Sequence, residues 1–89
     1  MEQIGDSLKR LVGNNVRRIR KEAGYRQGQF AKMIGVTSTT LSKMENGESD
    51  IKIGLLDDMA KKLNRPIQEF LFNSETVILS KDELKKLII

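Results

Sequence analysis

Between Gln27 and Gly47 the chain reads QGQFAKMIGVTSTTLSKMENG, and this run leaves few ways to fold. Its apolar residues fall into two short helical patterns, Phe30-Ala31-Ile34 and Leu41-Met44. Gly35 separates them, Thr37 opens the second and Gly47 closes it. Glycine ends helices because it takes up left-handed backbone without a Cβ clash. A threonine just before an apolar-periodic segment is an N-cap signal. The pattern predicts a helix over 27–34, a tight turn, and a second helix over 38–46. A helix that buries Leu41 and Met44 turns positions 38, 39, 42, 43 and 46 toward its free face.

The flanking sequence reads as more helix. Ile4, Leu8, Leu11, Val12, Val16, Ile19 and Ala23 form one stripe at spacings of three and four. Gly13 interrupts it, at a cost of roughly 1 kcal/mol against Ala. A helix over 12–23, capped by Gly24, is expected; the first eleven residues are either its extension or a separate short helix. Leu55, Leu56, Met59, Ala60 and Leu63 predict a fourth helix over 53–63. Pro66 suits the first turn of a fifth, anchored by Ile67, Phe70 and Leu71.

After Asn73 the pattern changes. Thr76-Val77-Ile78-Leu79 is β-branched and apolar, a short strand candidate. Ser80-Lys81-Asp82-Glu83 has capping-box spacing, with Leu84, Leu87 and Ile88 on one face of a closing helix. The expected class is therefore all-α: a compact five-helix domain over 12–72, an N-terminal helical extension (1–11) and a C-terminal strand/helix extension (73–89). A lone strand beside a helical domain leaves backbone groups unpaired, so pairing with its copy across a two-fold axis is expected. Residues 73–89 thus read as a dimerisation or partner-binding extension.

Composition narrows the function. Eighty-nine residues make one small domain, and 38% hydrophobic with 31% charged residues fits a globular chain. No apolar run is long enough to span a membrane, and the N-terminus lacks the apolar core of a signal peptide. The absence of cysteine suits the cytoplasm and removes thiolate chemistry. The absence of histidine removes the commonest general base and metal ligand. Neither an enzyme nor a cofactor or metal site is expected. Residues 1–45 hold nine Lys/Arg against four Asp/Glu, whereas residues 46–89 hold seven against eight. Positive charge concentrated in the half with the two-helix run fits a nucleic-acid partner.

The side chains on that free face support the same reading. Ser38, Thr39 and Ser42 offer hydroxyls that bond to several base edges or to phosphate, and the Thr39 methyl can pack on thymine. Lys43 suits guanine O6/N7, a contact worth roughly 1–3 kcal/mol of discrimination. Thr37 can cap its helix and touch phosphate. Gln27 lies at a helix N-terminus, where amides and dipole attract anions. Arg17, Arg18, Lys21 and Arg26 are nonspecific phosphate candidates. Thr40, beside Leu41, is expected to pack sideways.

Over 12–72 the chain resembles the lambda-repressor/Cro-like, or XRE-type, helix-turn-helix family. The resemblance rests on Val12-Gly13, Arg17 to Gly24, Gln27-x-x-Phe30-Ala31, Gly35-Val36-Thr37, Leu41 to Gly47, and Leu63 followed by Ile67-x-x-Phe70-Leu71, in that order. It implies a five-helix domain that binds operator DNA, usually as a dimer. It implies DNA contacts from Gln27, Thr37, Ser38, Thr39, Ser42 and Lys43, and a structural ion pair between Arg20 and Glu45. Three departures from the pattern stand out. Arg26 stands where the second helix usually has a Ser or Thr cap, so either the cap is lost or the arginine reaches a phosphate instead. Gly28 weakens the same turn. Glu48-Ser49-Asp50 replaces a loop that is often basic, which leaves Lys52 as its cation. The leading expectation is a transcriptional regulator, most simply a repressor, acting as a homodimer on double-stranded DNA. The alternatives are an antitoxin that binds a toxin and also regulates its own operon, and a protein-interaction domain that does not bind DNA.

Overall fold

The computed structural model describes residues 4–72, which form five helices: α1 (Ile4–Glu22), α2 (Gln27–Ile34), α3 (Ser38–Glu45), α4 (Ile53–Lys62) and α5 (Gln68–Leu71). No strand occurs among the described residues. The expected strand at 76–79 and the closing helix lie outside them. Among the described residues no helix is long and apolar enough to cross a membrane.

The first helix departs from expectation in an instructive way. It runs unbroken for 19 residues, so residues 4–11 extend it rather than form a separate helix, and Gly13 does not interrupt it. Gly13 is buried where α1 crosses the end of α3. A Cβ built there would lie 2.2 Å from the Met44 carbonyl oxygen and 2.9 Å from that of Glu45. Helix propensity is sacrificed at Gly13 so that two backbones can approach. Gly24 then stops the helix with φ +87°, as its position predicts.

The core forms where the apolar stripes converge. Val16 and Ile19 of α1, Phe30 of α2, Leu41 of α3, Met59 of α4 and Phe70 of α5 are all fully buried. Helix α1 packs on α3 and α5, and α2 packs on α3 and α4. The Tyr25 ring stacks near Phe30, with centroids 6.4 Å apart. Helix α5 is only four residues long and starts two residues after Pro66. The Pro66 carbonyl accepts from the Glu69 amide at 3.1 Å. Pro66 therefore sits in the turn leading into α5, where its missing N–H costs nothing. The end of α5 is secured from α1. The buried Asn15 Nδ2 donates to the carbonyls of Phe70 (3.0 Å) and Phe72 (3.1 Å). Asn15 lies beside the apolar stripe, and hydrophobic periodicity carries no sign of this role.

Candidate nucleic-acid interface

The α2–α3 unit is built from local backbone chemistry. Gly35 ends α2 in the left-handed region, φ +76°, and the Val36 amide donates back to the Ala31 carbonyl at 3.0 Å. Thr37 is extended, and its Oγ1 accepts from the Thr40 amide at 3.0 Å, satisfying one of the four orphan donors at a helix start. The same hydroxyl donates to Thr40 Oγ1 at 2.9 Å. Thr40 is thus engaged sideways, away from the free face. At the other end, the Gly47 amide donates to the Met44 carbonyl (3.1 Å) and that of Glu48 to the Lys43 carbonyl (2.9 Å). With Gly47 at φ +75°, this is a Schellman closure. It limits α3 to eight residues.

The outward side of α3 gathers most of the predicted site. Gln27, Ser38, Thr39, Ser42 and Lys43 line one shallow concavity, together with Glu48. Ser38, Thr39 and Lys43 are exposed, and Ser42 is half-buried. Thr37 stands apart from that lining, at the start of α3. Lys43 makes no ion pair among the described residues. Helix α2 begins close by: a Cβ on Gly28 would rest at an ordinary 3.5 Å from Ser38 Oγ.

The inward side of α3 is held by Glu45, whose side chain is fully buried. Arg20 grips it with two bonds, Nε to Oε2 at 2.7 Å and Nη2 to Oε1 at 3.1 Å. A third Arg20 nitrogen, Nη1, donates to the Tyr25 carbonyl at 2.8 Å. Arg17 Nε lies 3.6 Å from Glu45 Oε1, and its Nη2 donates to Asn46 Oδ1. Gln27 Nε2 donates to Glu45 Oε1 at 3.1 Å. One carboxylate on α3 thus takes bonds from α1 and α2. A buried charge is tolerated when it is paired and hydrogen-bonded in this way.

Sequence reasoning misses part of this network. It assigns Gln27 to a phosphate, yet the side-chain amide nitrogen is engaged by Glu45, although the residue also lines the concavity. Arg17 is turned toward Glu45 and Asn46. Arg18 pairs with Glu22 at 3.4 Å. Glu22 is also bonded by Arg65, and that bond, with the nearby Arg18 charge, holds its carboxyl below its ordinary value. Of the four phosphate candidates, Lys21 and Arg26 make no ion pair among the described residues, and Lys21 is exposed. The Arg26 side chain makes no capping bond. Gln29 Oε1 instead accepts from the Arg26 amide at 2.9 Å, the reciprocal half of a capping box. A glutamine three residues after Arg26 is the available signal. Asp50 meets Lys9 at 3.6 Å.

These elements define a helix-turn-helix with an anchored second helix, and comparison with known proteins agrees. The chain belongs to the HTH_3 helix-turn-helix family of XRE, or lambda-repressor-like, DNA-binding transcription regulators; the family model matches residues 16–70. The chain is 33% identical over 54 residues to the antitoxin PezA of Streptococcus pneumoniae, covering 61% of this chain and 34% of that protein. It is 31% identical to a putative HTH-type transcriptional regulatory protein of Pyrococcus furiosus, covering 97% of this chain and 30% of that protein. The chain therefore spans about a third of the length of either relative. Among solved structures, an HTH_3 family transcriptional regulator from Vibrio cholerae superposes with a TM-score of 0.71 at 26% identity, over 82% of this chain and 41% of that one. The all-helical, lambda-repressor-like fold read from the sequence is the fold of the described residues.

Proposed function

We propose that this chain is a sequence-specific transcriptional repressor that acts in the cytoplasm as a homodimer on a pseudo-palindromic operator, with α3 in the major groove. One observation carries the reading. Gln27, Ser38, Thr39, Ser42 and Lys43 share a single concavity on the outward side of a helix whose inward side is fixed by Glu45. Lys43 is assigned to guanine, Ser38, Thr39 and Ser42 to base edges and nearby phosphates, and Gln27 and Thr37 to the backbone. Phosphate contacts set register and supply a salt-sensitive term, and base contacts supply selectivity. Two subunits would set their α3 helices about 34 Å apart, one turn of DNA, with residues 73–89 contributing to the subunit or partner contact.

The test is selection of bound duplexes from a random pool at two salt concentrations. A palindromic consensus is expected. Lys43→Ala should then relax one position of it by roughly 1–3 kcal/mol, with unchanged thermal unfolding. Absence of any consensus, or one indifferent to Lys43→Ala and Thr39→Ala, sinks the proposal and favours a protein-interaction domain without DNA binding. A second reading has its own support. Similarity to PezA over 54 residues favours an antitoxin that also regulates its own operon. Capture of a toxin from the native host separates that role from repression alone.

A further inference from the structure

Glu48 lines the α3 concavity beside Ser42 and Lys43. It is exposed, and its carboxylate makes no hydrogen bond or ion pair among the described residues. Asp50, two residues on, is by contrast met by Lys9. Lys43 is unpaired in the same sense, so two opposite charges share one shallow depression without meeting. The backbone holds Glu48 there. Its amide donates to the Lys43 carbonyl at 2.9 Å, and Gly47 before it has φ +75°. A Cβ on Gly47 would lie 2.8 Å from Arg10 Cγ and 3.0 Å from Arg10 Cα. With α1 directly behind the turn, residue 48 has no room to draw back when a duplex fills the concavity.

The chemistry of a carboxylate restricts what it can face. It accepts hydrogen bonds and donates none. Phosphate, guanine O6 and N7, and thymine O4 are acceptors too, and a charge desolvated against them without a partner is costly. The major groove offers two donors, cytosine N4 and adenine N6. Lys43 is donor-only and suits guanine O6/N7. On the edge of a G·C pair the guanine acceptors lie beside the cytosine amine. A donor and an acceptor side by side in one concavity match that edge.

We propose that Glu48 is a specificity-determining residue, accepting from a cytosine N4 amine next to the guanine taken by Lys43. This rests on α3 entering the major groove as proposed above. The start of the acidic loop then belongs to the reading surface. Glu48 contributes selectivity more than affinity, because its charge opposes the phosphates that flank every site.

The test repeats the duplex selection with Glu48→Ala and Glu48→Gln in the full chain and measures binding to consensus and random duplexes by fluorescence anisotropy. The parent should prefer cytosine at one position of each half-site. Glu48→Ala should weaken that preference by about five-fold or more, equivalent to ~1 kcal/mol, and bind random duplex at least as tightly as the parent. Glu48→Gln should move the preference toward adenine, whose N6/N7 edge suits a side-chain amide. Thermal unfolding should match the parent in both variants. Both lose the same charge, so phosphate repulsion alone would alter them equally and leave the consensus as it was. That result overturns the role of Glu48 and leaves the repressor reading standing. A parent protein that selects no consensus overturns both.

Discussion

Substituting Gly13 by Ala sets two principles against each other. Helix propensity alone makes Gly13→Ala stabilising, by roughly 1 kcal/mol in a helix interior. The structure says the opposite. The new methyl would sit 2.2 Å from the Met44 carbonyl oxygen and 2.9 Å from that of Glu45, whereas ordinary carbon contacts are ~3.5–4.0 Å. Both obstructing atoms are backbone, so no side chain can rotate away and α3 must shift by about 1 Å or more to restore such a contact. Overpacking of this kind costs typically ~1–3 kcal/mol, occasionally more. With backbone on both sides the upper end applies, and the propensity gain offsets about a third of it. The net expectation is a loss of about 2 kcal/mol, a large share of the ~5–15 kcal/mol that holds a typical domain. At ~4–8 °C per kcal/mol for a chain of this size, the melting temperature should fall by roughly 8–16 °C. Thermal unfolding followed by far-ultraviolet circular dichroism measures this directly. A Gly13→Ala protein that melts at or above the parent temperature would refute the claim that Gly13 exists for close approach.

Glu45→Ala should cost about 3–5 kcal/mol, because it strands Arg20 in the interior and unties Gln27 and Arg17; urea unfolding gives the number. Thr37→Ala should cost about 1 kcal/mol and Thr37→Ser much less, since only the hydroxyl bonded to the Thr40 amide is at issue. Equal losses in a denaturant series would exclude capping as the cause. Glu22 is depressed below its ordinary 4.5 chiefly by the Arg65 bond. A group lowered in the folded state stabilises above its unfolded value and loses that contribution as pH falls through the folded one. Arg65→Ala should therefore move the Glu22 carboxyl midpoint up toward 4.5 in an NMR titration, and an unmoved midpoint would assign the shift elsewhere.

The sequence discloses those parts of the molecule that local chemistry decides. Thr37, Gly24, Gly35 and Gly47 mark their turns because a cap and a left-handed residue are needed at fixed offsets, and α2 matches its predicted span from end to end. The inward pair Leu41 and Met44 determines the outward positions of α3, which is why the candidate contacts 38, 39, 42 and 43 fall together. What eludes the sequence is tertiary. Gly13 looks like a defect in a helix because the approaching α3 backbone is remote along the chain. The inward bonds of Gln27 and Arg17 go unseen because nothing local shows that Glu45 is within their reach. Asn15 lies off the apolar stripe, and its partners at Phe70 and Phe72 are more than fifty positions distant.

The grip on Glu45 has an evolutionary corollary. The side-chain bonds that tie Glu45 of the second helix to its neighbours come from beneath, from Arg17, Arg20 and Gln27. The side chains at 39 and 43 take no part in that grip, so they can be exchanged like type in a printer's block while the frame stays locked. If α3 reads DNA as proposed, a new target sequence could be acquired by altering these exposed positions without loosening the grip on Glu45.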